Sequence, residues 1–163
     1  MSDASFLIRE IEPKDNAKVE AIIKAIFPEF GMPLDGTAYA DVETPRMYES
    51  YQGAKEVYFV LEENGQVVGG AGIKPLKNYE ADVCELQKMY FTPSVRGKGY
   101  GRIMFNKCLD KAKALGYKKC YLESASQLKI AIQLYEKEGF KHLEQPLGFT
   151  GHYSCGVWMI KDL

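Results

Sequence analysis

The stretch with the clearest chemical meaning runs Met89-Tyr90-Phe91-Thr92-Pro93-Ser94-Val95-Arg96-Gly97-Lys98-Gly99-Tyr100-Gly101. A strand ends, a glycine-rich turn follows, and a long helix begins. Glycines at 97, 99 and 101 let the backbone approach a ligand and adopt conformations closed to residues with a Cβ. A helix N-terminus offers unpaired N–H groups and a partial positive charge, which suits a pyrophosphate. Arg96 and Lys98 add cationic charge beside it. The same triplet also suits a plain glycine-rich turn. Two better-known phosphate loops are excluded. A Walker loop ends in Gly-Lys-Ser/Thr, whereas Gly97-Lys98 is followed by Gly99. A dinucleotide fingerprint needs G-x-G-x-x-G in an early βαβ unit, and here G-x-G-x-G stands late in the chain.

Positioning such a turn takes a strand before it and a helix after it, and the flanking pattern supplies both. Val83 to Phe91 reads as a strand ended by Thr92-Pro93. Gly99 to Leu115 reads as a helix with Phe105, Cys108, Ala112 and Leu115 on one stripe and Gly116 as terminator. Upstream, Phe6 to Ile11 suits a first strand. Val19, Ile22, Ile23, Ile26 and Phe27 recur at helical spacing after a cap at Asp15 or Asn16, and Pro28 stops that run. Glu29 to Thr44, with Gly31, Pro33 and Gly36, reads as loop, and Pro45 can open a second, shorter helix through about Tyr51. Glu56 to Glu62 and Gln66 to Ile73 make a hairpin around Asn64-Gly65. Downstream, Lys119 to Glu123 reads as a strand and Gln127 to Glu138 as a helix ended by Gly139. Phe140 to Leu143 and Tyr153 to Ile160 read as two closing strands. These elements predict an α/β (α+β) fold, a mixed sheet with helices on both faces. The 163 residues fit a single domain, 1–163, since domains commonly hold about 100–200 residues. The order alone is compatible with several folds.

Composition narrows the partners. With 46% apolar and 26% charged residues the chain has globular rather than disordered character. A net charge of −1 and no basic stripe argue against nucleic acid as a partner. The start, Met1-Ser2-Asp3-Ala4-Ser5, lacks the basic region and apolar run of a signal peptide. No apolar stretch approaches the roughly 20 residues that span a bilayer, so no membrane association is expected. Cys84, Cys108, Cys120 and Cys155 contain no CxxC pair and read as buried free thiols. Neither a disulfide nor a metal is expected, and cytoplasmic residence follows.

Arg96-x-x-Gly99-x-Gly101 resembles the Q/R-x-x-G-x-G/A signature of the GNAT superfamily of N-acyltransferases. The resemblance extends to Leu122-Glu123 and to Ala131-Ile132-Gln133-Leu134-Tyr135-Glu136-Lys137-Glu138-Gly139-Phe140, covering about residues 83–141. It implies a mostly antiparallel sheet of about seven strands whose fourth and fifth strands splay apart to admit coenzyme A. It also implies acetyl-CoA as co-substrate, with its pyrophosphate on the amides of Arg96, Gly97, Lys98, Gly99, Tyr100 and Gly101. Met89, Tyr90 and Phe91 would face the acetyl and pantetheine portion. In one departure, Leu128 stands where many relatives have an asparagine on the pantetheine arm, and the adjacent Lys129 is either solvated or able to reach the cofactor phosphates.

The implied reaction is transfer of an acetyl group to a primary amine by direct attack in a ternary complex. An alkylammonium titrates near ~10.4 and has no free lone pair, so a base near the amine and an acid near the sulfur are required. Tyr135 matches the tyrosine that lies near the CoA sulfur and also interacts with the cofactor. Glu85 and Glu123 match two alternative base positions, and the sequence does not separate them. His152, in Thr150-Gly151-His152-Tyr153-Ser154, is able to line a substrate-binding acceptor pocket or to serve as a structural histidine. His142 reads as a surface residue, and an acyl-cysteine route through Cys155 is disfavoured. Gly31 to Tyr51 would wall the acceptor site with Tyr39, Arg46, Tyr48 and Tyr51. Asp35, Asp41 and Glu43 there favour a cationic amine or are simply solvated loop carboxylates. A small-molecule amine is the expected acceptor. The alternatives are a protein N-acetyltransferase and a catalytically silent acyl-CoA-binding regulatory domain. The closing strands could also pair across a homodimer.

Overall fold

A computed structural model describes residues 5–163. The order is β1 (Phe6–Glu10), α1 (Asn16–Glu29), β2 (Val57–Glu63), β3 (Gln66–Pro75), β4 (Val83–Phe91), α2 (Tyr100–Ala114), β5 (Lys119–Ser124), α3 (Lys129–Lys137), β6 (Lys141–Leu143) and β7 (Val157–Asp162). One seven-stranded sheet runs β1-β2-β3-β4-β5-β7-β6. The β4/β5 pair is parallel and every other neighbouring pair is antiparallel. The expected α/β class, mixed sheet and strand count are what the structure contains.

Strand alternation divides the core between the two sheet faces. Val57, Phe59 and Leu61 of β2, with Cys84 and Leu86 of β4 and Cys120 and Leu122 of β5, pack against Met104, Phe105 and Cys108 of α2 and Tyr135 of α3. On the other face Tyr58 and Val60 meet Val19, Ile23 and Phe27 of α1. Each such fully buried side chain contributes about 1.5–3 kcal/mol. The β2–β3 turn follows its sequence signal, with Asn64 (φ 51) and Gly65 (φ 80) both in the left-handed region.

Four details differ from the expectation. Instead of a second helix ending near Tyr51, residues 38–51 form three 3-10 turns at Ala38–Ala40, Thr44–Arg46 and Glu49–Tyr51. Side-chain bonds hold them: Thr44 Oγ1 donates to the Ala38 carbonyl (2.6 Å), and Asn16 Oδ1 accepts the Tyr48 N–H (2.8 Å). This path brings Ala38, Met47 and Tyr51 together against α1. Second, α1 continues to Glu29 with Pro28 in its last turn. Third, Asp15 does not cap α1 with its side chain; it is buried and accepts the Arg9 guanidinium (2.7 and 3.0 Å) and the Glu12 N–H (2.7 Å). Fourth, the last strand begins at Val157. Just before it, Ser154 bonds the Gly36 carbonyl through its N–H and the Asp35 carbonyl through its hydroxyl, holding that segment away from the sheet. Among the described residues no helix is long and apolar enough to cross a membrane.

Candidate active site

β4 and β5 pair only from Val83↔Lys119 to Leu86↔Leu122. Beyond that point the strands part. The cause lies in β4, where Gln87 and Tyr90 face Gly72 and Gly70 of β3, so two residues oppose one. Lys88 takes the bulge conformation at φ 50. Tyr58 holds it there, donating its hydroxyl to the Lys88 carbonyl (2.8 Å). The Tyr58 ring fits because β3 carries glycine beneath it: a Cβ at Gly70 or Gly72 would come within 2.6 Å of the ring. The bulge aims both Gln87 and Lys88 toward the α1 side, where they meet Tyr51, Asp41 and Glu43.

The opening is a cleft whose lining includes Glu85, Met89, Tyr90, Glu123, Tyr135 and His152. Residues from four separate segments thus converge on one space. Phe91 stands at the strand end, and the glycine turn follows it outside the cleft proper. In that turn Gly97 (φ 80) and Gly99 (φ 84) need the left-handed region, and a Cβ at either would meet nothing within 4 Å. Gly101 sits in the first turn of α2, where a Cβ would reach ordinary contact with Leu134 and Phe91. No side chain caps α2, and Ile103 N–H reaches back to the Gly99 carbonyl (3.4 Å). The turn therefore presents open backbone at a helix N-terminus.

Its two cations are already engaged. Arg96 donates to the Phe91 carbonyl (3.1 and 2.9 Å) and pairs with Glu29, stapling the turn to α1. Lys98 and the Tyr100 hydroxyl both meet Glu63, at 3.3 and 2.6 Å. The cationic charge expected beside the glycines is thus balanced by carboxylates, which leaves the backbone amides as the main feature for an anion.

Glu85 and Glu123 project to the same sheet face from adjacent strands, in different surroundings. Glu85 is 4% exposed. Burial raises its pKa to about 7, against the lowering effect of the Gln87 amide, which donates to Oε1 (2.6 Å). Tyr51 in turn donates to the Gln87 side-chain carbonyl (2.6 Å). Glu123 is half-buried and accepts the hydroxyls of Tyr121 (2.6 Å) and Thr150 (2.6 Å). Tyr135 is buried between Phe105 and Phe140, and burial pushes its phenol up.

His152 sits in the cleft with its Nε2 on both oxygens of Asp41 (2.9 and 2.8 Å). Burial is the largest single influence and opposes its charge, but the Asp41 hydrogen bond and the Asp41 charge together outweigh it and raise the His152 pKa. Burial also opposes the charge on Asp41, while His152 and Lys88 together hold its pKa below the ordinary value. Lys88 Nζ lies 3.1 Å from Asp41 and 3.3 Å from Glu43, and Lys74 lies 2.8 Å from Glu43. Asp41 and Glu43 are therefore members of a partly buried charge network, not solvated loop carboxylates. Sequence reasoning missed this network and Thr150 as well. The contact between Asp41 and His152 joins positions 111 apart, which no local pattern reveals. His142 is exposed, as expected.

Of the cysteines, Cys84, Cys108 and Cys120 are buried and free, while Cys155 lines the cleft. Burial, with Glu123 and Glu85 next in weight, pushes the Cys155 thiol up to about 12. The ligand atoms of Glu123, His152 and Cys155 lie within 4.8 Å of one another, the one such grouping of donors among the described residues. Hydrogen bonds from Tyr121 and Thr150 already engage Glu123, and Asp41 engages His152.

Comparison with known proteins agrees with this architecture. A sequence model of the Acetyltransferase (GNAT) family matches residues 19–140. YjgM of Escherichia coli (strain K12), an uncharacterized N-acetyltransferase, is 41% identical over 96% of this chain and 95% of its own length. An IAA acetyltransferase of Azospirillum brasilense is 30% identical over 65% of this chain and 67% of its own. A GNAT-family acetyltransferase from Staphylococcus aureus Mu50 superposes with a TM-score of 0.86 at 18% identity, over 97% of this chain and 99% of that one. The protein yncA of Salmonella typhimurium, solved with its cofactor acetyl-CoA, superposes with a TM-score of 0.78 at 23% identity, over 97% of this chain and 94% of that one.

Proposed function

The chain belongs to the GNAT acetyltransferase family and is an acyltransferase, and from that premise we propose that it acetylates a small primary amine by direct attack in a ternary complex with acetyl-CoA. The observation that carries this reading is the cleft between β4 and β5, where a carboxyl titrating near 7 and a buried phenol are joined. The backbone of residues 96–101 would hold the diphosphate, its fit resting on the uncapped helix and the open space above Gly97 and Gly99. Met89, Tyr90 and Phe91 would line the acyl and pantetheine arm. Acetyl-CoA supplies an activated thioester.

Glu85 is the better placed base. A carboxyl with a pKa of about 7 holds a useful fraction of both forms at neutral pH and can take a proton from an ammonium directly or through water. Glu123, on the same face, would orient the amine. As the amine nitrogen attacks the acetyl carbon, the C–N bond forms and the C–S bond breaks. Glu85 first takes the ammonium proton and releases it to solvent. The second nitrogen proton, shed as the amide forms, passes to the same carboxylate, and the departing thiolate takes one from Tyr135, which regains it from solvent. A Tyr135 phenol kept neutral by burial is a donor and not a base, which suits that task. The raised thiol of Cys155 makes a poor nucleophile, which favours direct transfer over an acyl-cysteine route. On this reading the reaction would take place in the cytoplasm, in one catalytic domain spanning 1–163.

Calorimetry with acetyl-CoA and a thiol-release assay with a panel of amines test the reading together. Binding followed by amine-dependent release is expected. Tight binding without turnover on any amine would instead make the chain a silent acyl-CoA-binding domain.

A further inference from the structure

A second recess lies beyond the cleft, under the segment between β6 and β7, with a volume of about 350 Å³. It shares three residues with the cleft, Glu123, His152 and Cys155. The two spaces therefore meet at one wall, with a carboxylate in it. The remainder of the recess is largely apolar, built from Pro146, Leu147, Phe149, Tyr153 and Trp158. Phe149 and Tyr153 are 61% and 79% exposed, although large aromatic side chains are ordinarily covered. The recess is pinned in place: Leu147 N–H donates to the Tyr121 hydroxyl (3.2 Å), Phe149 N–H to the Lys77 carbonyl (2.8 Å), and Ser154 to Gly36 and Asp35.

Charge defines what this recess can take. Glu123 receives only hydroxyl hydrogen bonds and has no cationic partner among the described residues. The other carboxylates of the network, Asp41 and Glu43, are paired with Lys88, His152 and Lys74. Among the described residues no lysine or arginine lines the recess, and its histidine is committed to Asp41. An ammonium at Glu123 would be compensated, whereas an acidic group on the acceptor would find no partner. A polycation would meet one unpaired carboxylate and a set of aromatic rings.

We propose that the acceptor is a primary amine carried on a short arm from an aromatic or similarly compact apolar body, without an acidic group, the body seated among Leu147, Phe149, Tyr153 and Trp158 and the nitrogen at Glu123. This deepens the transferase reading and rests on it. Aromatic ring contacts and apolar burial then hold the body while Glu123 fixes the nitrogen at the junction with the cleft.

The test compares matched acceptors in the thiol-release assay: 2-phenylethylamine against phenylalanine, tryptamine against tryptophan, with spermidine and a lysine-containing peptide as further probes. The arylalkylamines are expected to exceed their carboxylated partners by about 100-fold in kcat/KM, the scale on which an unpaired polar group is rejected. Phe149 is exposed, so Phe149→Ala should fold normally. It should raise KM for 2-phenylethylamine about 10-fold with kcat nearly kept, and Phe149→Tyr should restore the parent KM. Preference for phenylalanine, spermidine or the peptide, or an unchanged KM in Phe149→Ala, overturns the inference while leaving the transferase reading intact. Acetyl-CoA binding with no turnover on any probe overturns both.

Discussion

Changing Glu85 to glutamine separates the chemical from the structural consequence of burying a carboxyl. In the folded chain Glu85 titrates at about 7 instead of 4.5, chiefly because burial penalises its charge. Between those values the folded state keeps a proton that the unfolded chain has released. Stability therefore falls as pH rises from about 4.5 to about 7, and this contribution is level above that. At about 1.4 kcal/mol per pH unit the cost at pH 8 is about 3 kcal/mol. For a chain of this length that corresponds to roughly 6–12 °C in Tm. Glutamine keeps the shape and can still accept the Gln87 amide, but it never ionises. Glu85→Gln should thus melt higher than the parent at pH 8, by up to that amount, and close to it near pH 4.5. The same change removes the base, so kcat/KM should drop by about 10²–10⁴-fold. The acidic limb of the profile, near pH 7 in the parent, should vanish. Thiol release and thermal melts across the pH range read both effects. If Glu85→Gln retains the rate and the limb, Glu85 is not the base. If the difference in Tm does not grow with pH, the carboxyl is not desolvated as described and the reasoning fails at its first step.

Three further substitutions probe the other parts of the site. Tyr135→Phe preserves the ring packed against Phe105 and Phe140, so Tm and the Kd for acetyl-CoA should hold while kcat falls about 10²-fold or more; an unchanged kcat removes the phenol from the mechanism. Gly99→Val forces a β-branched residue to φ 84, at a cost of about 1–2 kcal/mol; calorimetry should show acetyl-CoA binding at least 10-fold weaker, and parent affinity would show that the turn does not seat the cofactor. His152 is held above its ordinary 6.5 by Asp41, so its stabilisation is whole below pH 6.5 and is lost as pH rises through the folded value. Asp41→Asn should lower stability by about 3 kcal/mol and flatten that slope in melts between pH 6 and 9, a slope that persists only if another group is responsible.

The parts of this site legible in the sequence are those written locally. Val83 to Phe91 announces itself by composition and by Thr92-Pro93, and α2 by its stripe of Phe105, Cys108 and Ala112. Gly97 and Gly99 signal a left-handed turn because few other residues tolerate it. Glu85 and Glu123 could be nominated through the family resemblance, but not ranked. Their difference comes from burial and from which hydroxyls and amides reach them, and those donors arrive from Gln87, Tyr121 and Thr150. The bulge at Lys88 is likewise invisible along β4, since it depends on glycines in β3 and on a tyrosine in β2. The segment before β2 misled for a related reason: Pro45 is compatible with either a helix or a 3-10 turn, and contacts with Asn16 decide between them.

The long-range contacts also explain why two neighbouring carboxyls can differ in protonation. Lys74 and Lys88 are matched by Glu43 and Asp41, and a protonated His152 adds one more positive charge on Asp41. Glu123 contributes the next negative charge. An ionised Glu85 beside it would then be the surplus anion in a space of low polarity, consistent with Glu123 acting to raise the Glu85 pKa. Arrival of an ammonium at Glu123 reverses that balance. It supplies the missing positive charge, favours ionised Glu85, and does so only when there is a proton to remove. In this reading a substantial fraction of the base stays neutral until the acceptor is present, and the bulge that parts β4 from β5 also aims Lys88 into the charge network around it.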